Sequence, residues 1–307
     1  MKNLGYCCIP LGCNLDKRPK DHIKVNRGMV KRTFEAKGLP YVSELIIYNL
    51  EDTLKVLDYN LSQDIYIYRL SSDSFPWMSE YEFNDLPNFN KINSLLLKIG
   101  NKIKENGIRI SYHPGPFNVL ASENQSVVDK TIKELNKHAE IMDLMNLDQS
   151  TFYPINIHIN TTKPTRESAA QRFVDNFSLL TDSCKKRLTI ENDDSPNQYS
   201  VKMLHDWLYK EIGIPIVFDQ HHFLYGPQDQ SMEDAIKLAH STWNTRVMTH
   251  MSSSKTLEDS KGRQTAHADY IYEEIKTYGL DFDTEIEAKA KDLAVIKYRK
   301  QFQVVKG

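Results

Sequence analysis

Pro215-Ile216-Val217-Phe218 is a short apolar run that leads directly into the polar residues Asp219-Gln220-His221-His222. A run of this length, bounded by polar or turn-forming residues, is typical of a strand that is buried on both faces. Similar β-prone runs recur along the chain, several of them ending in His, Asp or Glu. They predict further strands at Leu4–Ile9, Asp64–Arg69, Ile108–Tyr112, Tyr153–Ile159, Arg187–Ile190, Thr245–Thr249 and Asp283–Ile286.

Longer amphipathic stretches separate these runs, with apolar residues at intervals of three and four. The clearest of them are Lys91–Asn106, Val127–Met145 and Met203–Glu211. Strands that alternate with helices, in a chain slightly longer than ~250 residues, predict an α/β fold of the (β/α)₈ TIM-barrel type. We expect one domain over residues 1–307. A doubly wound open sheet is the alternative, because periodicity alone does not distinguish the two.

The composition is that of an ordinary globular protein. The 307 residues include 39 basic and 41 acidic side chains, and 40% of the residues are hydrophobic. These values exclude a disordered chain and a strongly basic DNA coat, but they leave room for a local basic patch. The apolar runs are too short for a membrane span or a secretory signal. With four cysteines expected to be reduced, we predict a cytoplasmic monomer without an organic cofactor.

Leu11–Arg32 is the most basic segment of the chain. It is expected to form a long loop after the first strand and then a helix. A solvated surface is the simpler interpretation of such a run, and contact with nucleic acid is the alternative.

Histidines and carboxylates follow six of the eight predicted strands. In a barrel the carboxyl ends of the strands converge on one face, where active sites are built. A lone histidine is usually a core or surface group, but buried carboxylates gathered in one place require a cation. The set exceeds the needs of one ion and predicts two or three divalent ions, which suit phosphodiester hydrolysis. The candidate ligands are His113, His158, Glu191, Asp219, His222, His250, His267 and Glu287, whereas His22, His138, His205 and His240 are expected at the surface.

Several of these stretches carry a family resemblance when they are taken together and in order. They are Leu4-Gly5-Tyr6, His113-Pro114-Gly115, Ile155–His158, Leu188–Asp194, Val217–Phe223, Ser252-Ser253, His267–Tyr270 and Ile286–Lys289. In this order the sequence resembles the UV damage endonuclease family, within the endonuclease IV-like barrels. The resemblance implies a nick in double-stranded DNA immediately 5′ of cyclobutane pyrimidine dimers, 6-4 photoproducts or abasic sites. It also implies up to three divalent ions, expected to be Mn²⁺, with Zn²⁺ or Mg²⁺ as alternatives.

The resemblance also implies roles for individual residues. A central ion would be held by Glu191, Asp219, His250 and Glu287, a second by His113 and His158 with Glu191 shared, and a third by His222 and His267. A metal-bound hydroxide would be the nucleophile, and Lys289 would contact the phosphate. The implied catalytic residues are Glu191, Asp219, Glu287 and Lys289. The implied lesion-contacting residues are Tyr6, Pro116 and Phe117. Apart from the resemblance, the basic side chains of Arg18, Lys255 and Arg263 are expected to lie along the phosphates.

The sequence departs from the family pattern at several places. Pro116 stands where the family has a glutamine that probes the lesion, and proline offers no side-chain donor. Glu80 takes the place of a further histidine, and Met248 replaces a lysine that lies near the metals in relatives. Asn160 and Thr161 replace glycines.

Two other functions are compatible with the same residues. A related barrel enzyme acting on a small sugar would also use His, Asp and Glu with divalent metals. A lesion-binding protein without catalysis is the second alternative, suggested by Pro116 and Met248.

Overall fold

Eight parallel strands form a barrel in the computed structural model, which describes residues 4–302. The strands are β1 (Leu4–Cys7), β2 (Ile67–Arg69), β3 (Arg109–Ser111), β4 (Ile155–Ile157), β5 (Leu188–Glu191), β6 (Ile216–Asp219), β7 (Met248–Met251) and β8 (Asp283–Ile286). Each strand pairs with its neighbours in sequence except β3 with β4, and β1 also pairs with β8. The barrel closes there through an isolated parallel bridge between Tyr112, which follows β3, and Ile155, the first residue of β4. The predicted (β/α)₈ barrel is therefore confirmed, and the open doubly wound sheet is wrong.

The strand bounds differ from the predicted runs at both ends, and the shifts at the carboxyl ends bear on the site. Strands β5 and β6 each extend one residue further, to Glu191 and Asp219, and β7 extends to Met251. The apolar pattern stops before the backbone hydrogen bonding does, because the last strand residues turn polar side chains into the barrel.

Helices cover the outside of the barrel. They are α1 (Lys31–Ser62), α2 (Phe89–Glu105), α3 (Gln125–Leu144), α4 (Arg166–Phe177), α5 (Asp182–Lys185), α6 (Val201–Leu204), α7 (Lys210–Ile212), α8 (Gln220–Tyr225), α9 (Met232–Ser241) and α10 (Asp292–Phe302). The three predicted helical stretches fall on α2, on α3 and on α6–α7, which a π-helical turn at His205–Tyr209 joins. The basic segment is mostly loop, and its helix begins at Lys31. None of the helices within residues 4–302 has both the length and the apolar character that crossing a membrane requires.

Charged side chains occupy much of the barrel interior, where branched aliphatic residues are usual. At the amino-terminal end, Arg109 on β3 is 2% exposed and donates to Asp283 Oδ2 on β8 at 3.0 Å and to the Val247 carbonyl at 3.1 Å. Two residues further along the same strands, Ser111 donates to a carboxylate oxygen of Glu285. Because alternate strand residues face the same side, this column of polar groups continues to the carboxyl-terminal face.

Candidate metal centre

Glu191, the last residue of β5, is the centre of the cluster at the carboxyl-terminal face. Its side chain is fully buried, and four imidazoles approach its carboxylate. Oε2 lies 3.1 Å from His113 Nε2, 3.0 Å from His250 Nδ1 and 3.5 Å from His158 Nε2, and Oε1 lies 3.2 Å from His222 Nδ1. Strands β3 to β7 thus bring predicted ligands from distant parts of the sequence to one carboxylate.

Protonation within the cluster follows from burial and mutual charge. Burial alone would raise the pKa of Glu191, but His250 and His158 hold it well below its ordinary value. Burial alone would lower the pKa of His250, but the Glu191 carboxylate raises it to about 10. Burial lowers the pKa of His113. Without metal, protonated histidines therefore compensate the buried carboxylate.

Three groups of side chains within residues 4–302 have ligand atoms that all lie within 4.8 Å of one another. They are His113 with His158 and Glu191, His113 with His250 and Glu287, and Glu191 with Asp219 and His222. Seven of the eight predicted ligands thus fall in these groups. The division among ions differs from the expected one, because His222 groups with Glu191 and Asp219 and not with His267.

The Asp219 carboxylate provides a test of whether a cation fits. Its Oδ1 accepts a hydrogen bond from the His222 backbone N–H at 2.7 Å. Its Oδ2 is buried, and it has no hydrogen-bond partner among the described residues. A buried, unpaired carboxylate oxygen is costly, and nitrogen and oxygen ligands of this kind suit divalent ions. The donor set therefore fits a divalent cation.

His267 lies at the edge of the cluster. Its ring centre is 6.3 Å from that of His222. Its Nδ1 lies 2.8 Å from the Glu287 carbonyl, a contact that leaves Nε2 as the ligand atom. Metal-binding histidines commonly make such a contact through their second nitrogen.

Sequence reasoning missed the residues that support the predicted ligands. Asp193 Oδ1 lies 2.9 Å from His158 Nδ1, and Asn156 donates to Glu191. Arg69, at the end of β2, contacts both Glu285 and Glu287. The signal for Arg69 was a charged residue two positions from Ile67 in a buried strand, where it shares the inward face.

The predicted lesion-contacting residues differ in exposure to solvent. Tyr6 is 0% exposed, and its hydroxyl donates to Asn60 Oδ1 on α1 at 2.8 Å. It faces outward from β1 into the core between barrel and helix, where it does not reach solvent, and its insertion into DNA stays a prediction. Phe117, by contrast, is 91% exposed, and Pro116 beside it is exposed too. Both line a cavity of about 770 Å³ with Trp77 and other residues.

The basic side chains predicted to contact phosphates differ in whether a carboxylate already pairs with them. Lys255 Nζ is 2.6 Å from Glu258 Oε2 and 3.1 Å from Asp269 Oδ1, so two carboxylates compensate its charge, and its phosphate contact stays a prediction. Arg18 is exposed but pairs with Asp21 at 2.9 Å. Lys289 and Arg263 are exposed, and no carboxylate pairs with either of them in the part of the chain that the structure describes.

Glu80, Met248 and His138 lie outside the three ligand groups of residues 4–302. Glu80 is exposed and belongs to none of the groups found among residues 4–302. Met248 is 1% exposed, and on the first position of β7 it stands opposite Asp283 of β8 in the strand register. His138, which was expected at the surface, is fully buried, with Nε2 at 2.9 Å from Ser72 Oγ and Nδ1 at 2.8 Å from the Glu134 carbonyl. It serves packing, since α3 turns it inward.

Fold and site together define a class: a (β/α)₈ barrel whose carboxyl-terminal face gathers histidines and carboxylates suited to divalent ions. Comparison with known proteins narrows this class. The model of the family described as UV-endonuclease UvdE matches residues 3–307, and the chain belongs to that family. It is thus a DNA endonuclease of the UV-damage type, as the resemblance predicted.

Individual relatives agree with this assignment. The chain is 30% identical over 303 residues to a UV DNA damage endonuclease of Clostridium perfringens, covering 96% of this chain and 69% of the relative. It is 34% identical over 272 residues to one of Bacillus thuringiensis, covering 84% and 82%. A crystal structure of SacUVDE superposes with a TM-score of 0.82 at 29% identity, over 98% of this chain and 99% of that one. An L-ribulose 3-epimerase shares the fold alone, with a TM-score of 0.53 and 11% identity over 84% and 82% of the two chains.

Proposed function

We propose that this protein is a metal-dependent DNA repair endonuclease. In this proposal it nicks double-stranded DNA immediately 5′ of cyclobutane pyrimidine dimers and 6-4 photoproducts, and also at abasic sites. The observation that carries the proposal is the buried Glu191 carboxylate with four histidines at 3.0–3.5 Å. Such a cluster at the active face of a barrel requires cations, and the relatives act on UV-damaged DNA, as their names state.

The metals would be held by the predicted set of histidines and carboxylates. The proposed ligands are His113, His158, Glu191, Asp219, His222, His250, His267 and Glu287. Divalent ions, Mn²⁺ foremost, would lower the pKa of a bound water and neutralise the charge of the scissile phosphate.

Other side chains would position the DNA. The exposed Lys289 follows the ligand Glu287 by two residues, and its ammonium is free to meet a phosphate oxygen. The exposed Phe117 ring would stack at the lesion. Since Pro116 supplies no donor, we propose that lesion recognition depends on this ring and on deformability of the damaged duplex.

A plasmid assay tests the proposal. Purified protein would be incubated with UV-irradiated, abasic and intact supercoiled plasmid, with Mn²⁺ and with chelator. We expect nicking of damaged plasmid only, abolished by chelator. Glu191→Gln should lower the rate by at least about a hundredfold, since it removes the carboxylate at the centre of the cluster. Glu105→Gln, at the exposed last residue of α2, is the matched control and should retain activity.

The other outcomes of the assay identify the alternatives. Damaged-DNA affinity that survives chelation without any nicking would indicate a lesion binder. Metal binding without action on any plasmid would indicate a barrel enzyme with a small substrate. Full activity of Glu191→Gln would contradict the proposed centre.

A further inference from the structure

Arg69 is a fully ionised side chain inside the barrel, directly beside the candidate metal centre. It ends β2 and is 6% exposed. We propose that Arg69 is an internal counter-cation that holds the ligand carboxylate of Glu287 in place while the divalent ion is absent. This inference rests on the proposed function, since it assumes that Glu287 binds metal.

The guanidinium group engages two carboxylates with separate edges. Its Nη2 and Nε lie 2.6 and 2.7 Å from Glu285 Oε2, and its Nη1 lies 2.5 Å from Glu287 Oε1. Nη2 also lies 2.8 Å from His250 Nε2. The planar fork of arginine suits such a double contact, whereas a lysine ammonium is a single point charge.

The two carboxylates differ in how they are held. Glu285 is 0% exposed, and its second oxygen accepts a hydrogen bond from Ser111, so it is anchored independently of any ion. Within residues 4–302 the other basic groups that pair with Glu287 are histidines, with His250 Nδ1 at 3.4 Å and His267 Nδ1 at 3.8 Å, and the Glu191 carboxylate repels it. Glu287 is also the member of the pair that shares a ligand group with His113 and His250. Glu285 therefore stays paired with Arg69 throughout, whereas Glu287 is the carboxylate whose positive partner changes from Arg69 to the divalent ion.

Charge balance explains why an arginine lies beside these buried carboxylates. Glu191, Glu285 and Glu287 lie in one nearly dry interior, and an uncompensated buried carboxylate is strongly destabilising. Without metal, Arg69 supplies a compensating charge that cannot be lost by deprotonation. With metal bound, the ion compensates Glu287 instead. Arg69 and the ion thus each compensate the negative charge of the Glu287 carboxylate, whereas a residue that only packs the barrel would compensate no charge.

The test compares Arg69→Met with the unmodified protein in chelator and in saturating Mn²⁺. We expect the decrease in Tm to be about twice as large in chelator as in Mn²⁺, because metal replaces the lost charge. By the same cycle the variant should bind Mn²⁺ about tenfold more tightly in a calorimetric titration. The matched control is Arg109→Met, at another buried arginine, which pairs with Asp283 at 3.0 Å at the opposite end of the barrel. Its decrease in Tm should be the same in both conditions.

The contrary results are distinct from one another. Equal decreases for Arg69→Met in chelator and Mn²⁺, or weaker Mn²⁺ binding, would overturn the counter-cation role and leave the metal centre standing. Absence of Mn²⁺ binding by the unmodified protein would overturn the metal centre and this inference with it. If Arg69→Met does not fold, Arg69→Lys decides. It keeps one charge but not the fork, and it should bind Mn²⁺ more tightly than the unmodified protein by a smaller factor.

Discussion

His250 connects the metal centre to pH at the scale of a single residue. It is 1% exposed, and its Nδ1 lies 3.0 Å from Glu191 and its Nε2 3.3 Å from Glu285. These carboxylates raise its pKa to about 10, so the metal-free protein carries a proton there at neutral pH. An imidazole must lose its proton before it can bind a metal.

Metal affinity should therefore rise with pH. Between pH 6 and 8.5 we expect at least about a tenfold gain per pH unit, because binding releases a proton from His250. Calorimetric titration in buffers of different ionisation enthalpy would measure both the affinity and the protons released. An affinity independent of pH would contradict the protonated cluster.

The metal-free protein should show the opposite trend. Because the folded-state pKa of His250 is raised above its ordinary value of 6.5, its contribution to stability is complete below that pH. The contribution is lost as pH rises through about 10. Free energies of unfolding in chelator should accordingly decrease from pH 7 to 10, and His250→Gln should flatten that decrease.

The loop after β3 is the element that presents an aromatic ring to the substrate. Phe117 projects from it at 91% exposure, while the next residue, Asn118, is 5% exposed. The Asn118 backbone N–H donates to the Gly115 carbonyl at 3.0 Å, and its side-chain amide donates to Glu134 on α3 at 3.1 Å. The loop is thus fixed at its base, and the ring is held out from it.

Phe117→Ala should weaken action on damaged DNA without altering the metal centre. Loss of one stacked ring corresponds to about 1–3 kcal/mol, so we expect kcat/KM on UV-irradiated plasmid to fall about tenfold or more. Tm and Mn²⁺ affinity should not change, since the ring is exposed. Leu179→Ala, at another exposed apolar side chain, is the control and should act like the unmodified protein. Equal activity of both variants would remove Phe117 from lesion recognition.

The part of the candidate site that could be predicted from the sequence is the part that the strand ends carry. The candidate ligands were found because His and carboxylates directly follow apolar runs, and a barrel brings those ends together. The role of Tyr6 came from the family resemblance alone, and alternation gave no check on it, because β1 is buried on both sides and its inward residues cannot then be told apart. Arg69 was missed for a related reason: a charge at the end of an apolar run reads as the end of the strand, not as part of its inner face. The partners of Lys255 belong to loop contacts, which have no periodicity.

At the scale of the whole molecule, DNA binding must come from a local surface, because the net charge is −2. The unpaired Lys289 and Arg263 lie in the loops of the carboxyl-terminal face. Each phosphate contact lowers the slope of log affinity against log salt concentration by about 0.9. Lys289→Ala and Arg263→Ala should each remove about one such contact, as measured by binding to damaged duplex over a salt series. Lys255→Ala should leave the slope unchanged, and an equal effect of all three would contradict this distinction.

The ion pairs along the barrel axis also bear on how this lineage can diverge. Losing Asp283 alone leaves the buried Arg109 guanidinium without its carboxylate, which costs about 3–5 kcal/mol, close to the whole stability of many domains. Losing Arg109 alone leaves Asp283 still paired with Arg246 Nε at 2.8 Å. Replacing both at once with apolar residues of similar volume is nearly neutral by comparison. Genetic drift that removes Asp283 first is therefore blocked, whereas a path that removes Arg109 first stays open because Arg246 still pairs with Asp283. The two residues are therefore expected to be lost in a fixed order, Arg109 before Asp283.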